Sequence, residues 1–521
     1  MPTVREAVVR LMRDLGMTTV FGNPGSTELP LFRDFPDDFR YVLGLQESVV
    51  VGMADGFAQG RRNAAFVNLH SAAGVGHAMG NIYTAFRNRT PLVITAGQQA
   101  RSILPFEAFL FADQPTTLPQ PYVKWANEPA RAEDVPGAIA RAYYLAMQPP
   151  CGPTFVSIPV DDWDKKADYI APRTVSRSIH ADPSLLATLG KRLDQSKRPA
   201  FVVGAGVDRD GAWDAVVALA ERHEALVWAS PMSSRCSFPE RHRLFAGFLP
   251  PMRELIVKTL DGHDVVLALG APVFTYHIEG FGPHVPPGTE LFQVVEDAQT
   301  AAWTPVGTSI LSSVRPAVEA LLARSDRPAR RAPQGRRAAD RVTADTSISI
   351  PFLMQTLADT RPADSIIVEE SPSSRKTMQA HMPIERADSF FTCASGGLGH
   401  SLPAAVGMAL ATTPGRRVIG LFGDGSAMYS IQALWSAADL KLPMTIVIVN
   451  NRGYAALSEF SSHFNMKELV GTRLPGLDFV GLACSHGCHG VRVERPEDLA
   501  GALQRAFESP TPFLVDVTIG V

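Results

Sequence analysis

The sequence is poor in cysteine, in long apolar runs and in excess charge, and each shortage argues against a class of protein. Five cysteines scattered through 521 residues do not suit a disulfide-stapled secreted domain and predict a reducing compartment. No apolar run reaches the ~18 residues of a transmembrane helix. The net charge of −3 offers no basic face to nucleic acid. Residues 1–7 lack the basic-then-apolar pattern of a signal peptide, so we expect a cytoplasmic protein that binds neither membrane nor nucleic acid.

The bulk composition describes a globular chain of several domains. Apolar residues make up 45% of the chain and charged residues 19%, which is an ordinary globular balance. A chain of 521 residues is too long for one hydrophobic core, and three domains fit its length. We place the predicted domains at residues 1–170, 183–323 and 342–521.

Strand, loop and helix alternate in the first third of the sequence. Strands are predicted at 18–21, 41–45, 65–69, 92–96 and 153–159. Helices are predicted at 3–16 and 47–59, and a third is predicted to follow the loop 70–74 and to run through 86. Small polar loops follow the strands. This alternation predicts an α/β fold of parallel, doubly wound sheets, with functional groups collected at the carboxyl ends of the strands.

The alternation continues through the other two thirds. Middle-domain strands are predicted at 200–203, 225–229 and 265–269, with the last at 290–295. Strands of the third domain are predicted at 365–368, 418–422, 445–449 and 513–517. The middle-domain loop at Gly204-Ala-Gly206 lacks the third glycine of a dinucleotide fingerprint, which argues against a nucleotide there.

Two polar clusters are interpreted as ordinary features. Residues 324–341 carry seven arginines among proline and alanine: Arg324, Arg327, Arg330, Arg331, Arg336, Arg337 and Arg341. No aromatic residue interleaves them, so a solvated linker is favoured over a nucleic-acid patch. The group Cys484-Ser-His486-Gly-Cys488-His489 lacks the longer separation between ligand pairs that is typical of a closed zinc site.

The strongest pattern lies in the last third. The apolar run 418–422 ends in Gly423-Asp-Gly-Ser426, and the run 445–449 ends in Asn450-Asn451. A carboxylate at Asp424, an amide oxygen at Asn451 and a backbone carbonyl of the next turn would suit Mg²⁺, which takes its remaining ligands from phosphate and water. A helix cap followed by a turn is the ordinary alternative. Asn451 follows Asp424 by 27 residues at the end of a second strand, which favours a metal–diphosphate site.

Four polar residues of the first and middle domains could have a functional role, but each also has an ordinary structural explanation. Glu47 stands among apolar residues, where a carboxylate is costly unless paired, but it could simply complement a helix dipole. His70 could be a core or capping residue, and Ser26 could cap a helix that starts at 26–28. His277 hangs on a loop after the strand 265–269, where a lone histidine is more often just exposed.

Taken together, the motifs resemble those of a known family. The matching stretches are 20–26 (Val-Phe-Gly-Asn-Pro-Gly-Ser), 45–47 (Leu-Gln-Glu), 68–74 (Asn-Leu-His-Ser-Ala-Ala-Gly), 95–99, 161–164, 270–277, 396–399 (Gly-Gly-Leu-Gly), 423–426 and 450–451. The chain resembles the thiamin diphosphate-dependent 2-oxo acid decarboxylases and carboligases, in particular the benzoylformate decarboxylases. The resemblance extends over nearly the whole chain.

The resemblance implies roles for individual side chains. Glu47 would hydrogen-bond the aminopyrimidine ring of thiamin diphosphate. His70 and His277 would transfer protons, since imidazole titrates near neutrality. Ser26 would hold the substrate carboxylate or carbonyl oxygen. Leu398 would wedge under the cofactor and keep it bent.

The resemblance also implies the binding residues. Mg²⁺, with Ca²⁺ as a substitute, would bind Asp424, Asn451 and the carbonyl of Gly453. The cofactor-binding residues would be Asn23, Pro24, Gly25, Glu47, Ser373, Gly396, Leu398, Gly423, Asp424, Gly425, Ser426, Asn451, Gly453 and Tyr454. The substrate pocket would be lined by Phe109, Leu110, Ala456 and Phe460.

Three departures from the family pattern bear on the substrate. Phe109 replaces an expected leucine, and Pro372 replaces an expected threonine. Arg375-Lys376 follow closely, and a new cation could favour a different acid. An aromatic 2-oxo acid remains the expected substrate.

The expected function is thiamin diphosphate- and Mg²⁺-dependent, non-oxidative decarboxylation of an aromatic 2-oxo acid such as benzoylformate. A carboligase of the acetolactate synthase or glyoxylate carboligase type is the enzymatic alternative. A non-catalytic scaffold is the third hypothesis, which the retained Glu47 and metal ligands disfavour. The family places Glu47 of one chain opposite Asp424 of another, so a homodimer is implied as the active unit, assembled as a homotetramer.

Overall fold

Three six-stranded parallel sheets with flanking helices build the chain. The computed structural model describes residues 1–324, 329–466 and 468–520, so Arg327 of the arginine segment, and Lys467 and Val521 of the predicted third domain, lie outside the described residues. The first and third sheets are centred in a compact unit of residues 1–176, 342–377 and 395–521, and the middle sheet in a second unit of residues 177–341 and 378–394. The predicted α/β fold class is confirmed.

The first sheet has the strand order β2-β1-β3-β4-β6-β5. Its elements are α1 Val4–Asp14, β1 Thr19–Gly22, β2 Arg40–Leu43, α2 Glu47–Arg61, β3 Ala65–Leu69, α3 Ser71–Asn88, β4 Leu92–Gln98, β5 Ala126–Asn127, α4 Val135–Met147 and β6 Thr154–Pro159. Strand order reverses between β1 and β3, and ligands of open α/β sheets bind at such a reversal, beyond the carboxyl ends of the strands. The loops after Gly22 and Leu69 flank that point.

The middle sheet has the order β12-β11-β10-β7-β8-β9. Its elements are α5 Pro183–Gln195, β7 Pro199–Val203, α6 Ala205–Arg209, α7 Trp213–His223, β8 Leu226–Ala229, β9 Phe245–Phe248, α8 Arg253–Thr259, β10 Val265–Leu269, β11 Glu290–Val295, α9 Ala298–Trp303, β12 Thr308–Leu311 and α10 Val314–Leu322. The prediction that 290–295 is the last strand is wrong, because β12 follows. That edge strand has one buried residue in four and therefore gives no apolar run to detect.

The arginine segment is not simply a solvated linker. Arg324 pairs with Asp194 at 2.8 Å. Arg330 donates to the carbonyls of Leu193, Asp194 and Ser196 at the end of α5. These guanidinium groups satisfy carbonyls that a helix end leaves without partners, so part of the segment docks on the middle domain.

The third sheet has the order β14-β13-β15-β16-β18-β17. Its elements are α11 Ile350–Thr360, β13 Ile366–Glu370, α12 Arg375–His381, β14 Phe390–Thr392, α13 Ser401–Thr412, β15 Val418–Gly423, α14 Asp424–Met428, α15 Ala433–Asp439, β16 Met444–Asn450, α16 Ala455–His463, α17 Phe479–Ser485, β17 His489–Val493, α18 Pro496–Glu508 and β18 Phe513–Thr518. The order reverses between β13 and β15, where Glu370 lies beside Phe422. The loops that carry 371–374 and 423–426 therefore flank this second reversal point.

Helices α2 and α13 pack closely within the first compact unit. A Cβ atom at Gly52 would lie 2.6 Å from the ring of Pro403, one at Gly56 would overlap the carbonyl of Ala404, and one at Gly407 would overlap the carbonyl of Met53. The glycines are needed because no methyl group fits between the two backbones. This contact joins the helix that begins at Glu47 to the helix that follows the Leu398 loop.

Candidate active site

Glu28 is the centre of the polar network after β1. Its side chain is 1% exposed. Oε1 accepts hydrogen bonds from Thr27 Oγ1 at 2.6 Å and from the Gly97 N–H at 3.0 Å. Oε2 accepts from the Gly25 N–H at 2.9 Å and contacts His70 Nδ1 at 2.8 Å. The predicted helix start at 26–28 is instead a turn, followed by a 3-10 helix at Leu29–Phe32, because Glu28 folds back onto its own loop.

His70 lies at the carboxyl end of β3, at the N-cap position of α3, and its side chain makes no capping hydrogen bond. A carboxylate can only accept, so the contact with Glu28 places a proton on Nδ1 and leaves Nε2 as the exchangeable nitrogen. A Cβ atom at Gly25 would overlap the imidazole, which explains why the loop has glycine there. The imidazole is about one-fifth exposed, so it can reach a ligand. Ser26, in the same loop, is exposed.

Glu47 is the first residue of α2. The side-chain oxygen of Gln46 caps the helix by accepting from the Ser48 and Val49 N–H groups. The Glu47 carboxylate extends toward α3, the helix with His70 at its N-cap position, and Oε2 lies 3.1 Å from His77 Nδ1. A Cβ atom at Gly74 would lie 3.2 Å from Oε1. The start of α3 therefore positions both Glu47 and His70.

The predicted pocket loop is fixed by its backbone rather than by its side chains. Ser71 Oγ donates to the carbonyl of Leu110 at 2.7 Å, and the Gln99 side-chain amide donates to the carbonyl of Phe109 at 2.6 Å. Leu110 has a φ of +66°, which is strained for a leucine. Phe109 is 87% exposed, whereas Leu110 is half-buried. The loop thus holds both residues at a defined position beside α3.

Asp424 and Asn451 meet at a single N–H group. The Gly453 N–H donates to Asp424 Oδ2 at 2.9 Å and to Asn451 Oδ1 at 3.2 Å, and the Gly425 N–H donates to Asp424 Oδ1 at 2.7 Å. Burial raises the pKa of Asp424, while these backbone bonds act in the opposite direction. Within the described ranges no three acidic, histidine or cysteine side chains gather as a metal cluster. A cation here would rely on one carboxylate with amide, carbonyl and phosphate oxygens, which suits Mg²⁺.

Hydroxyl groups line the other side of the same reversal point. Ser371 Oγ and Ser374 Oγ are buried without a hydrogen-bond partner in the described structure. A Cβ atom at Gly423 would lie 3.6 Å from Ser426 Oγ and 3.9 Å from Ser371 Oγ. Buried hydroxyls without partners are costly, and phosphate oxygens would satisfy them. Ser373 is half-buried between the two orphaned serines. These residues fit a diphosphate held by a divalent cation.

The loop that carries Leu398 is held by a buried carboxylate. Glu370, 3% exposed, accepts from the N–H groups of Gly399, His400 and Ser401 at 2.6, 3.1 and 2.7 Å. Burial raises the pKa of Glu370, and these N–H donors partly offset it. Leu398 is half-buried and Gly396 is exposed, so both can meet a ligand.

The remaining predicted residues are distributed as follows. The Tyr454 ring occupies the space where Gly425 would carry a Cβ atom. Ala456 and Phe460 lie half-buried on α16, Asn23 is half-buried, and Pro24 is exposed. His277 is exposed on a loop of the second compact unit, where its backbone N–H donates to the carbonyl of Pro251 at 2.9 Å. Its role stays a prediction.

Sequence reasoning missed Glu28, His77 and Glu370. Glu28 sits three residues beyond Gly25, which is also the spacing of an ordinary turn. His77 lies on α3 without a local motif. Glu370 ends a buried strand, and a charged residue among fully buried neighbours was the one available signal.

Family models match the chain in the order of its three sheets. The N-terminal TPP binding domain of thiamine pyrophosphate enzymes matches residues 2–116, the central domain 186–321, and the C-terminal TPP binding domain 373–517. Each of the two TPP binding domains matches one of the two sheets whose reversal points are described above.

Full-length relatives narrow the comparison. Benzoylformate decarboxylase of Pseudomonas aeruginosa is 44% identical over 99% of this chain and 99% of its own length. Acetolactate synthase isozyme 3 large subunit of Escherichia coli is 26% identical over 99% of this chain and 94% of its own. The solved thiamine diphosphate-dependent 4-hydroxybenzoylformate decarboxylase of Rhodococcus jostii RHA1 is 41% identical, with a TM-score of 0.96 over 100% of this chain and 99% of that one. Benzoylformate decarboxylase from Polynucleobacter necessarius is 39% identical, with a TM-score of 0.96 over 100% and 99%. The chain therefore belongs to the family of thiamin diphosphate-dependent enzymes, on the branch of benzoylformate decarboxylase and its carboxy-lyase relatives.

Proposed function

We propose that the protein converts an aromatic 2-oxo acid of the benzoylformate type to the aldehyde and CO₂, with thiamin diphosphate and Mg²⁺ or Ca²⁺. The observation that carries this proposal is the start of α3, which brings the Glu28-held imidazole of His70 and the carboxylate of Glu47 to one helix. This chemistry requires a positioned proton-transfer group and a cofactor-activating carboxylate, and the start of α3 positions one of each.

Each residue has a stated task in the proposal. Bound thiamin diphosphate supplies the electron sink for cleavage of the carbon–carbon bond. Glu47 hydrogen-bonds the aminopyrimidine ring. His70 exchanges a proton at Nε2, and His277 is proposed as a second proton-transfer group. Ser26 binds the substrate carboxylate or carbonyl oxygen, and Leu398 supports the bent cofactor.

The second reversal point is proposed to hold the diphosphate and the metal. Asp424, Asn451 and the carbonyl of Gly453 are the proposed Mg²⁺ ligands, because the two side-chain oxygens already converge on one N–H group. The hydroxyls of Ser371 and Ser374 join those of Ser373 and Ser426 as proposed donors to diphosphate oxygens. Their unsatisfied state supports this assignment.

The charges near α12 support an uncharged aromatic substituent on the substrate. Arg375 donates to the buried carboxylate of Glu369 at 2.9 Å, so its charge is already paired. This pairing accounts for Arg375, one of the two adjacent cations that could have favoured a different acid. We propose that Leu110, Ala456 and Phe460 form the apolar pocket wall and that Phe109 narrows it.

The proposed active unit is a homodimer within a homotetramer, in which each chain supplies Glu47 to one site and Asp424 to the other. The exposed Phe109 is consistent with a site that a second chain completes. Among the described helices none is long and apolar enough to span a bilayer. A cytoplasmic location stays a prediction from the low cysteine content, and cell fractionation would test it.

A carboligase remains the second candidate because the Escherichia coli acetolactate synthase subunit aligns over the full length. The carboligases that the chain resembles often carry FAD in the middle domain, and one feature of that domain disfavours a flavin here. The Gly206 N–H donates to the carbonyl of Gly270 at 2.8 Å, and a Cβ atom at Gly204 would lie 2.9 Å from the same carbonyl. The glycine loop therefore packs against the chain's own backbone.

A substrate panel tests the proposal. The purified protein with thiamin diphosphate and MgCl₂ would be given benzoylformate, 4-hydroxybenzoylformate, phenylpyruvate, pyruvate or glyoxylate, and CO₂ and organic products would be measured. Release of the aromatic aldehyde with equimolar CO₂ is expected, with loss of turnover after removal of both cofactor and metal and recovery after their return. A two-ketoacid adduct as the main product, or full turnover without cofactor, would overturn the proposal.

A further inference from the structure

His77 is the one side chain that hydrogen-bonds Glu47 within the part of the chain that the structure describes. Glu47 Oε2 lies 3.1 Å from His77 Nδ1, and the two side chains are 14% and 64% exposed. Removal of the imidazole would leave a largely buried carboxylate oxygen without its donor. A carboxylate in that state becomes either mobile or poorly solvated.

The surrounding backbone makes this contact directional. Gln46 fixes the first turn of α2 by accepting from two N–H groups, so the Cα position of Glu47 is set. Gly74 gives the Oε1 side of the carboxylate room, because a Cβ atom there would stand 3.2 Å from Oε1 and 3.3 Å from Cγ. His77 lies one helical turn further along α3 and holds Oε2. Oε2 of Glu47 is therefore anchored by His77, and Oε1 is left without a side-chain partner.

A surface ion pair is the ordinary interpretation of an exposed histidine beside a glutamate, and such pairs contribute little to stability. Here the acidic partner is mostly buried at the start of its helix, whereas the imidazole is exposed. The pair would therefore affect the orientation of the carboxylate more than the free energy of unfolding.

We propose that His77 is a positioning residue that anchors Oε2 of Glu47, so that Oε1 is aimed at the aminopyrimidine ring of thiamin diphosphate. This inference rests on the proposed function, because it assigns His77 a role toward the same cofactor. Its effect reaches the cofactor only through Glu47.

The test compares His77→Ala with His77→Asn, whose side-chain amide keeps an N–H donor near the position of Nδ1. His180→Ala, which removes an exposed histidine from a different segment, is the matched control. Cofactor affinity is measured by titration calorimetry. Cofactor activation is measured, without substrate, as the rate at which the C2 proton of bound thiamin diphosphate exchanges with deuterium in quenched samples followed by NMR.

His77→Ala is expected to slow C2-proton exchange and kcat about tenfold, the size of one hydrogen bond to a charged group, with KM and melting temperature nearly unchanged. His77→Asn should recover both rates to within about threefold, and His180→Ala should match the wild type. Wild-type exchange in His77→Ala, or a slow rate that His77→Asn does not rescue, would overturn the positioning role. A wild-type protein that fails to bind thiamin diphosphate would instead defeat the proposed function itself.

Discussion

Replacing Glu28 by glutamine should both destabilise the loop after β1 and impair proton transfer by His70. The carboxylate accepts from three donors and contacts His70 Nδ1. Glutamine offers one oxygen and one NH₂ group, so in either orientation the NH₂ group faces a backbone N–H that had an acceptor. Thr27 can rotate its hydroxyl to accept, but the N–H groups of Gly25 and Gly97 cannot.

The size of the effect follows from those contacts. One buried N–H without an acceptor costs about 1–3 kcal/mol, and the remaining bonds lose their charge assistance. We therefore expect the free energy of unfolding to fall by about 2–4 kcal/mol. When the NH₂ group faces His70, it donates to Nδ1 and moves the imidazole proton to Nε2. Because positioned acid–base groups contribute about 10²–10⁴-fold, kcat should fall at least about 100-fold.

The assay combines aldehyde production from benzoylformate with equilibrium denaturation of each variant. Thr27→Val is the matched control, because it removes one donor to Oε1 and the longer 3.3 Å contact of Thr27 Oγ1 with His70 Nδ1, but leaves the contact between Glu28 and His70 in place. That control should lose about 1 kcal/mol of stability and retain activity within about threefold. A Glu28→Gln protein with wild-type kcat would refute the reasoning, since it would show that His70 functions without its carboxylate.

Three further predictions concern single groups. Glu47→Gln should reduce kcat by orders of magnitude in a steady-state assay while the circular dichroism spectrum is unchanged, and normal activity would remove its role toward the cofactor. Asp424→Asn should weaken Mg²⁺-dependent binding of thiamin diphosphate at least about 10–100-fold in calorimetric titrations, since loss of an outer-shell partner already costs that much; equal affinity would reassign the metal ligand. Burial, aided by the charge of Arg330, lowers the pKa of His223 from 6.5 to about 4, so the unfolded chain takes up a proton that the folded protein refuses between those values. The free energy of unfolding should therefore fall as pH falls through this window, by at most about 3 kcal/mol, and His223→Gln should flatten that slope in chemical denaturation.

The features predictable from the sequence were those written in short stretches of chain. The run Val418–Phe422 is continuous and apolar, with branched residues, and it forms a buried strand that ends at Gly423 and is followed by Asp424. The strand Ala65–Leu69 has the same character. Buried parallel strands give a strong local signal, and the loops at their carboxyl ends could be placed from that signal alone.

The contacts that were missed depend on which strands and helices are neighbours. Glu28 contacts Gly97, which is 69 residues away in the sequence, and His70, which is 42 residues away. These residues come together in space only because β1, β3 and β4 are neighbours in the sheet. His77 meets Glu47 because α3 packs beside α2, which no local pattern states. The contact of Arg330 with the end of α5 was missed for the same reason. A charged residue among prolines is expected to be solvated, and only the fold shows that it lies at a helix end whose carbonyls need donors.

The glycine contact between α2 and α13 has a mechanical consequence in the proposed dimer. Each chain would lend its Glu47 to one cofactor and its Leu398 loop to the other, and these two groups stand at the starts of helices whose backbones touch at Gly56 and Gly407. At Gly56 and Gly407 no side chain separates the two backbones. Movement of the Leu398 loop around one cofactor would therefore displace Glu47, which serves the second cofactor. The two catalytic centres would then be coupled through a backbone-to-backbone contact inside each subunit rather than through the surface where the subunits meet.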